Sequence, residues 1–436
     1  MSHIFKDQKA ILQKLGIEQL NSMQEEAIDI IEKNASVVIL SPTGTGKTLA
    51  FLLPLLQQLN IGTKQVQALI LVPSRELAIQ IEQVAREMGS GFKVNAVYGG
   101  RAFSKDKIEL SQPPAILIGT PGRIGDHLRR QTFSIDNLRI LILDEFDKSL
   151  ETGFEGEMRE IIETLPGLEK RILTSATQLE NIPKFAGVRD PVYINYLDHA
   201  PSLLETRTIS SPQKDKLDTL VQLLKSLAGQ PGIIFCNYKE TIDEVHLYLK
   251  SQGIDLECFH GGMEQKERER SLIKFRNGSS RLILATDLAA RGIDVPEIGF
   301  IIHYQLPHSK QEFIHRNGRT ARMNKRGIAY VLHWENEKLP DFIIAKKNSE
   351  IYEDTLISVQ DWITLFISGG RKDKISKGDI AGLFLKQGNL KREELGNIEL
   401  KHDCAFVAVP SEKSEQLVQI LNNSRLKKKK VRISLI

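Results

Sequence analysis

Ser41-Pro42-Thr43-Gly44-Thr45-Gly46-Lys47-Thr48 follows the apolar run at residues 37–40 and opens an amphipathic stretch at residues 48–59. A strand, a glycine-bearing turn and a helix start, in that order, build a phosphate-binding loop. The glycines let backbone N–H groups come close to phosphate oxygens, and the helix N-terminus adds positive potential. In such a loop Ser41, Thr43, Gly44, Thr45 and Gly46 line the nucleotide, Lys47 reaches its outer phosphates and Thr48 holds Mg2+. Ser41 stands where the general pattern has glycine. The reading decides the fold, because loops of this kind sit at the carboxyl ends of strands in a parallel sheet covered by helices.

Working outward, short apolar runs recur at residues 68–72, 115–118, 140–143 and 171–174, each followed by turn residues, and they read as buried parallel strands. A second series occupies residues 232–236, 256–259, 281–285, 300–304 and 328–332. Two series predict two tandem doubly wound parallel-sheet α/β domains, at residues 1–200 and 201–350, with residues 196–214 as the linker between them. After about residue 350 the pattern becomes strand, helix, two strands, helix, strand, at 362–367, 377–385, 398–401, 405–409, 412–422 and 431–435. That order predicts a small α+β RNA-recognition-type domain over residues 360–436.

The charge is uneven. Residues 361–436 hold fifteen Lys and Arg against nine Asp and Glu, a net +6, whereas the whole chain carries +4, so the first 360 residues are acidic by two. A basic excess ending in Arg425 and Lys427 to Lys430 suits a nucleic-acid-binding appendage, or else a solvated charged tail. Cys236, Cys258 and Cys404 are odd in number and lack metal-ligand spacing, which argues against a zinc site and for a reducing compartment. With neither a secretory signal nor a membrane-length apolar run, the expectation is a cytoplasmic monomer without membrane contact.

Asp144-Glu145-Phe146-Asp147 comes directly after the run at 140–143. In a nucleotide-hydrolysing domain the first carboxylate at such a strand end orders Mg2+, and its neighbour accepts a proton from attacking water. A solvated acidic turn has the same composition. His315-Arg316-Asn317-Gly318-Arg319-Thr320-Ala321-Arg322 places three arginines within one short segment. Arg319 and Arg322 share a face if the segment is helical, and both then point at one anion; a plain basic helix face is the alternative.

Together these segments resemble the DEAD-box RNA helicase family over residues 1–345. Further matches, in family order, are Pro73-Ser74-Arg75-Glu76-Leu77-Ala78, Gly99-Gly100, Thr120-Pro121-Gly122-Arg123, Ser175-Ala176-Thr177, His260-Gly261, Gln265 with Arg268, and the stretch from Ala285 to Asp294. The resemblance implies that the two α/β domains are RecA-like, with ATP and Mg2+ as cofactors and RNA as partner. It implies that Gln24 reads adenine, that Ser175 and Thr177 couple the domains, and that Asp287 and Asp294 help complete the nucleotide site. It also implies RNA contacts from Pro73, Arg75, Gly100, Thr120, Gly122, Arg123, Gln265, Arg268 and Thr286. Three departures stand out: Phe146 replaces the family's Ala beside the catalytic carboxylates, Phe5 lies close upstream of Gln24, and Asn317 takes a usually apolar position.

The segment from Asp361 to Ile436 resembles the rRNA-targeting domain of the bacterial DEAD-box protein A group, through Gly369 to Ile375, Gly378-Asp379-Ile380 and Phe406-Val407-Ala408-Val409. That implies RNA contacts from Arg371, Lys372 and Lys374 and points to 23S rRNA in large-subunit assembly. Phe366 and Phe406 are the aromatic candidates for stacking on unpaired bases. A general RNA clamp or assembly factor with weak ATPase, and a DNA helicase, are the competing readings.

Overall fold

The central strands of the first domain are apolar on both faces, and alternation divides them between two cores. In β1 (Ser36–Leu40), Val37 and Ile39 enter one buried cluster with Phe51, Ala68 and Ile70. Val38 and Leu40 enter the other, with Leu69, Leu141 and Leu143. A sheet covered on both faces in this way is normally parallel. The computed structural model, which describes residues 8–179, 181–197, 204–227, 229–287, 298–320, 326–345 and 361–436, has that arrangement.

The first sheet comprises β1, β2 (Ala68–Leu71), β3 (Val94–Val97), β4 (Ile116–Gly119), β5 (Ile140–Leu143), β6 (Lys170–Ser175) and β7 (Val192–Asn195), in the order β3-β4-β2-β5-β6-β1-β7. All its pairings are parallel. The second sheet comprises β8 (Leu204–Ser211), β9 (Gly232–Phe235), β10 (Glu257–Phe259), β11 (Leu282–Ala285), β12 (Phe300–His303) and β13 (Gly327–Trp334), in the order β10-β11-β9-β12-β13-β8, again parallel. The expected linker at 196–214 is corrected here. Its second half is β8, paired along its length with β13 from Leu204↔Gly327 to Ser211↔Trp334.

The third sheet is antiparallel: β14 (Trp362–Ile367), β15 (Ile398–Leu400), β16 (Ala405–Pro410) and β19 (Ile433–Leu435) lie in the order β15-β16-β14-β19. Helices Lys377–Lys386 and Ser414–Leu421 cover one face through Ile380, Phe384, Leu417 and Leu421. The expected basic tail is partly a small hairpin, β17 (Arg425–Leu426) with β18 (Lys429–Lys430). Lys427 pairs with Asp379 at 2.9 Å and Lys429 with Asp373 at 2.7 Å. Among the described residues no helix is long and apolar enough to cross a membrane. Phe5, Asp294 and Arg322 lie outside the described residues.

Candidate active site and nucleic-acid interface

The sheet order sorts the motifs of the first domain. The phosphate loop follows β1, the Asp144–Asp147 acids follow β5, and Ser175 ends β6, so these three sit on the adjacent strands β5-β6-β1. Pro73 follows β2, Gly99 follows β3 and Thr120 follows β4, on the adjacent strands β3-β4-β2. Segments scattered along the chain thus form two groups at the carboxyl edge, where ligands of open parallel sheets bind.

In the phosphate loop, Gly44 and Gly46 adopt φ of 82° and 85°. At Gly46 a Cβ would run into the Gln24 side-chain amide. That amide donates to the Gly46 carbonyl at 3.2 Å, and the Gln24 Oε1 accepts from the Asn21 N–H at 3.0 Å. Asn21 Nδ2 adds a bond to the Thr45 carbonyl at 3.0 Å. Gln24 is therefore held against the loop whose nucleotide the resemblance assigns it to read. Ser41 Oγ meets Thr45 Oγ1 at 2.7 Å, an internal tie that a glycine at position 41 lacks. Lys47 is buried and donates to the carbonyls of Ser41 and Pro42. Burial lowers its ammonium to about 8, against the opposing pull of Asp144, Glu145 and Asp147.

Burial, with repulsion from Glu145, raises the Asp144 carboxyl to about 6. Glu145 takes a left-handed conformation, φ 48° and ψ 50°, which costs a non-glycine residue on the order of 1 kcal/mol. Its carboxylate pairs with the buried Lys148 at 2.9 Å. Thr174, which sequence reasoning missed, donates to Asp144 Oδ1 and accepts from the Glu145 N–H at 3.1 Å. Thr177 donates to Asp147 Oδ2 at 2.8 Å, and Ser175 donates to the Thr177 carbonyl at 2.6 Å. The Phe146 ring does not crowd the acids. It is fully buried in the core with Leu143, Met158 and Leu173, 6.4 Å from the Phe185 ring.

On the other strand group the Arg75 guanidinium lies over Gly99 and Gly100, where a Cβ at Gly100 would come within 2.5 Å of it. Arg123 is engaged inside the protein. It pairs with the fully buried Asp106 at 2.7 Å and donates to the Arg101 carbonyl at 2.9 Å. Asp106 also takes Arg101 at 2.9 Å and His127 at 3.3 Å. Thr120 caps the helix Pro121–Arg129, in which Gly122 is open to one side.

In the second domain Gln265 opens the helix Gln265–Arg276, and the buried Arg268 lies over the Phe259 ring at 5.0 Å. The Thr286 N–H donates to the Phe259 carbonyl at 3.3 Å, bringing these residues to the ends of β10 and β11. The shared helical face expected for Arg319 and Arg322 is corrected: the helix is Lys310–Asn317, it ends at Gly318, and Arg319 lies beyond it. Arg316, also unassigned from sequence, is almost wholly buried. It grips Asp287 with two bonds of 2.7 and 2.5 Å, the Gln305 carbonyl at 2.8 Å and Asn237 Oδ1 at 2.7 Å. Arg316 therefore ties together the segments after β9, β11 and β12.

In the third domain Arg371, Lys372 and Lys374 are all exposed, with the half-buried Asp373 between them. Asp373 shapes their turn by accepting from the Gly370 N–H at 3.1 Å and from Lys429 at 2.7 Å. Those two bonds, the lysine's first, hold the Asp373 carboxyl below the usual carboxylate range. Phe366 and Phe406 meet edge to face at 5.7 Å, and Phe406 is buried, contrary to its expected role as an open stacking platform.

Three family descriptions match the chain: DEAD/DEAH box helicase over residues 21–185, helicase conserved C-terminal domain over 215–324, and DbpA RNA binding domain over 364–435. The chain belongs to the DEAD-box ATP-dependent RNA helicases. Within them it is of the DbpA type, an ATP-hydrolysing RNA helicase with a dedicated RNA-binding domain. It is 30% identical to the ATP-dependent RNA helicase DbpA of Bacillus subtilis, over 97% of this chain and 96% of that one. With the DbpA of Escherichia coli the identity is 31%, over 98% and 96%. The fold is similar to that of Saccharomyces cerevisiae Dbp5 bound to RNA and ADP BeF3, with a TM-score of 0.69 and 28% identity over 75% of this chain and 88% of that one.

Proposed function

We propose that this helicase separates short duplexes in 23S rRNA during large-subunit assembly, as a cytoplasmic monomer whose working parts are residues 1–200, 201–350 and 360–436. The observation that carries the reading is the surface turn of Arg371, Lys372 and Lys374, held in shape by Asp373, in a segment that matches the DbpA RNA binding domain. Cations on a braced turn contact phosphates at defined positions, whereas a loose tail supplies affinity without register.

In the hydrolytic step, Lys47 exchanges its carbonyl partners for phosphate oxygens, and Gln24 fixes the loop while meeting the adenine. Mg2+ fits the donors present: burial and the neighbouring Glu145 push Asp144 up to about 6, and a divalent cation relieves that repulsion. Among the described residues no three His, Cys, Asp or Glu converge as an all-protein cage. Asp144 and Thr48 would hold the ion, which would supply charge neutralisation at the transferring group. Glu145 accepts the proton of the attacking water, Thr174 orients Asp144, and Thr177 reports on Asp147. Arg319 and Arg322 stabilise the charge that develops during transfer, and Asp287 and Asp294 help complete the closed nucleotide site. Pro73, Arg75, Gly100, Thr120, Gly122, Gln265, Arg268 and Thr286 follow the RNA backbone. Arg123 serves it indirectly, through the Asp106 cluster.

The weak-ATPase clamp reading rests on Phe146, and the burial of that ring away from the acids removes its motive. ATPase turnover without RNA, with a generic single strand and with large-subunit rRNA fragments tests the proposal. Equal stimulation by generic and ribosomal RNA rejects the 23S assignment.

A further inference from the structure

The four-stranded sheet of the RNA-binding domain has two faces, and only one is covered by its own helices. Ile363, Leu365 and Ile367 of β14 and Ala405, Val407 and Val409 of β16 point into that core. Alternation puts Trp362, Thr364 and Phe366, with Phe406, Ala408 and Glu399, on the other side. In RNA-recognition folds this second face is the open one, on which bases stack. Here Thr364 is wholly buried and Glu399 nearly so.

What covers them is the turn that ends the helix Gln265–Arg276 in the second parallel-sheet domain. Asn277 Nδ2 donates to Thr364 Oγ1 at 3.1 Å, and Ser279 Oγ lies 2.6 Å from the same oxygen. Asn277 Oδ1 in turn accepts from Asn397 Nδ2 at 3.2 Å. Arg276 faces Glu399 at 3.8 Å and Arg281 pairs with Asp361 at 2.7 Å. Gly278, with φ 73°, brings the turn against Trp362, so that a Cβ there would lie 3.7 Å from the Trp362 Cδ1. Asn277 and Thr364 are buried polar groups that satisfy each other, so parting the domains strands several donors and acceptors until water replaces the partners.

We propose that this face is a standing dock for the Arg276–Arg281 turn, so that the RNA-binding domain moves as one body with the second motor domain. The inference rests on the RNA-helicase reading for its purpose, but not for its geometry. Gln265 and Arg268, the proposed RNA contacts, lie at the N-terminal end of the same helix. A helix of that length spans roughly 18 Å. RNA held by the third domain is thereby offered to the motor at a fixed distance and direction, which chain connectivity between Ala345 and Asp361 does not by itself supply. A tether alone would give only a diffuse effective concentration.

The test uses the full chain with Trp334→Phe, leaving Trp362 as the single tryptophan. Thr364→Lys and, independently on the opposite side, Asn277→Arg should each raise acrylamide quenching of Trp362 several-fold. A Gly/Ser insertion between Ala345 and Asp361 should leave quenching as in the parent. ATPase stimulated by a generic single-stranded RNA should persist in all four proteins, and its loss in the parent would count against the helicase reading instead. Equal quenching in the parent and both charge variants, or exposure caused by the insertion alone, overturns the dock. Agreement between variants on opposite sides separates undocking from local unfolding of either domain.

Discussion

His303 donates its Nε2–H to the side-chain oxygen of Asn317 at 3.0 Å, in a site where the imidazole has no exposure to water. The pair explains the polar residue inside the arginine motif: Asn317 serves a histidine on β12, between the rings of Phe235 and Phe313. Asn317→Ile should strand a buried donor and cost about 1–3 kcal/mol. His303→Phe combined with Asn317→Ile should cost less than the two single changes added together. Urea unfolding of the four proteins gives the coupling energy, and a value near zero shows that the bond contributes nothing.

The same histidine makes stability depend on acid. Burial, with the charge of Arg316 as the second cause, lowers its imidazolium from 6.5 to about 3. Above pH 6.5 both the folded and unfolded chains are neutral at this site. As pH falls below 6.5 the unfolded chain takes a proton that the folded one refuses, and stability drops until the folded value is reached. The slope approaches about 1.4 kcal/mol per pH unit. Comparing urea midpoints at pH 7 and pH 5, the double variant should lose less stability than the parent, and an equal loss contradicts the buried neutral form.

Much of this architecture was legible in the sequence because the central strands are apolar on both faces and each ends in a chemical motif. Of the strands that escaped notice, β3, β7 and β8 lie at the edges of the parallel sheets, and β17 and β18 form a separate two-stranded hairpin. Edge strands are covered less completely, so β7 reads Val-Tyr-Ile-Asn with Tyr193 exposed and β8 reads Leu-Glu-Thr-Arg-Thr-Ile-Ser-Ser with its first half only half-buried. In the site, single motifs were readable, whereas pairs distant in sequence, such as Thr174 with Asp144, Arg316 with Asp287 and Asp106 with Arg123, carry no local pattern. Spacing alone puts Arg319 on a helical face, because it does not reveal that Gly318 ends the helix.

Phe146→Ala restores the family's residue yet should harm the protein. The ring fills the core against Phe185, and its removal should cost roughly 3–5 kcal/mol. Because the ring lies away from the carboxylates, kcat per folded molecule should stay close to that of the parent. A large fall in kcat with unchanged stability would place the ring's role at the acids.

Lys47→Ala and Glu145→Gln should separate binding from chemistry. Losing the ammonium weakens nucleotide affinity. Glu145→Gln keeps the shape but removes the proton acceptor, so ATP and RNA should remain bound while turnover falls on the order of 10²–10⁴-fold. Filter binding beside steady-state ATPase distinguishes the two, and hydrolysis at the parental rate by the Glu145→Gln protein excludes Glu145 as base.

Asp106 gives the most discriminating test of the RNA groove, because it touches neither nucleotide nor any of the exposed basic groups. Its buried carboxylate joins Arg101, which follows Gly99-Gly100, to Arg123 at the end of the Thr120 motif, and His127 closes the cluster beneath the Phe103 ring at 4.5 Å. Asp106→Asn preserves volume and hydrogen bonding on one side but removes the charge that holds two guanidinium groups together. Freed arginines would repel, so the loops after β3 and β4 should lose their mutual register. From β4 to β1 the sheet order counts four strand spacings, roughly 19 Å, which leaves the phosphate loop outside direct reach of the change. The expected outcome is a rise of about tenfold in the RNA concentration needed for half-maximal ATPase, matching about 1.4 kcal/mol of lost backbone contact, with kcat at saturating RNA and ATP affinity without RNA unchanged. Arg123→Lys should produce part of the same effect, since a lysine keeps the charge but not the forked geometry. If instead kcat and ATP affinity fall together with RNA affinity, the cluster supports the whole domain and is no specific brace for the RNA path.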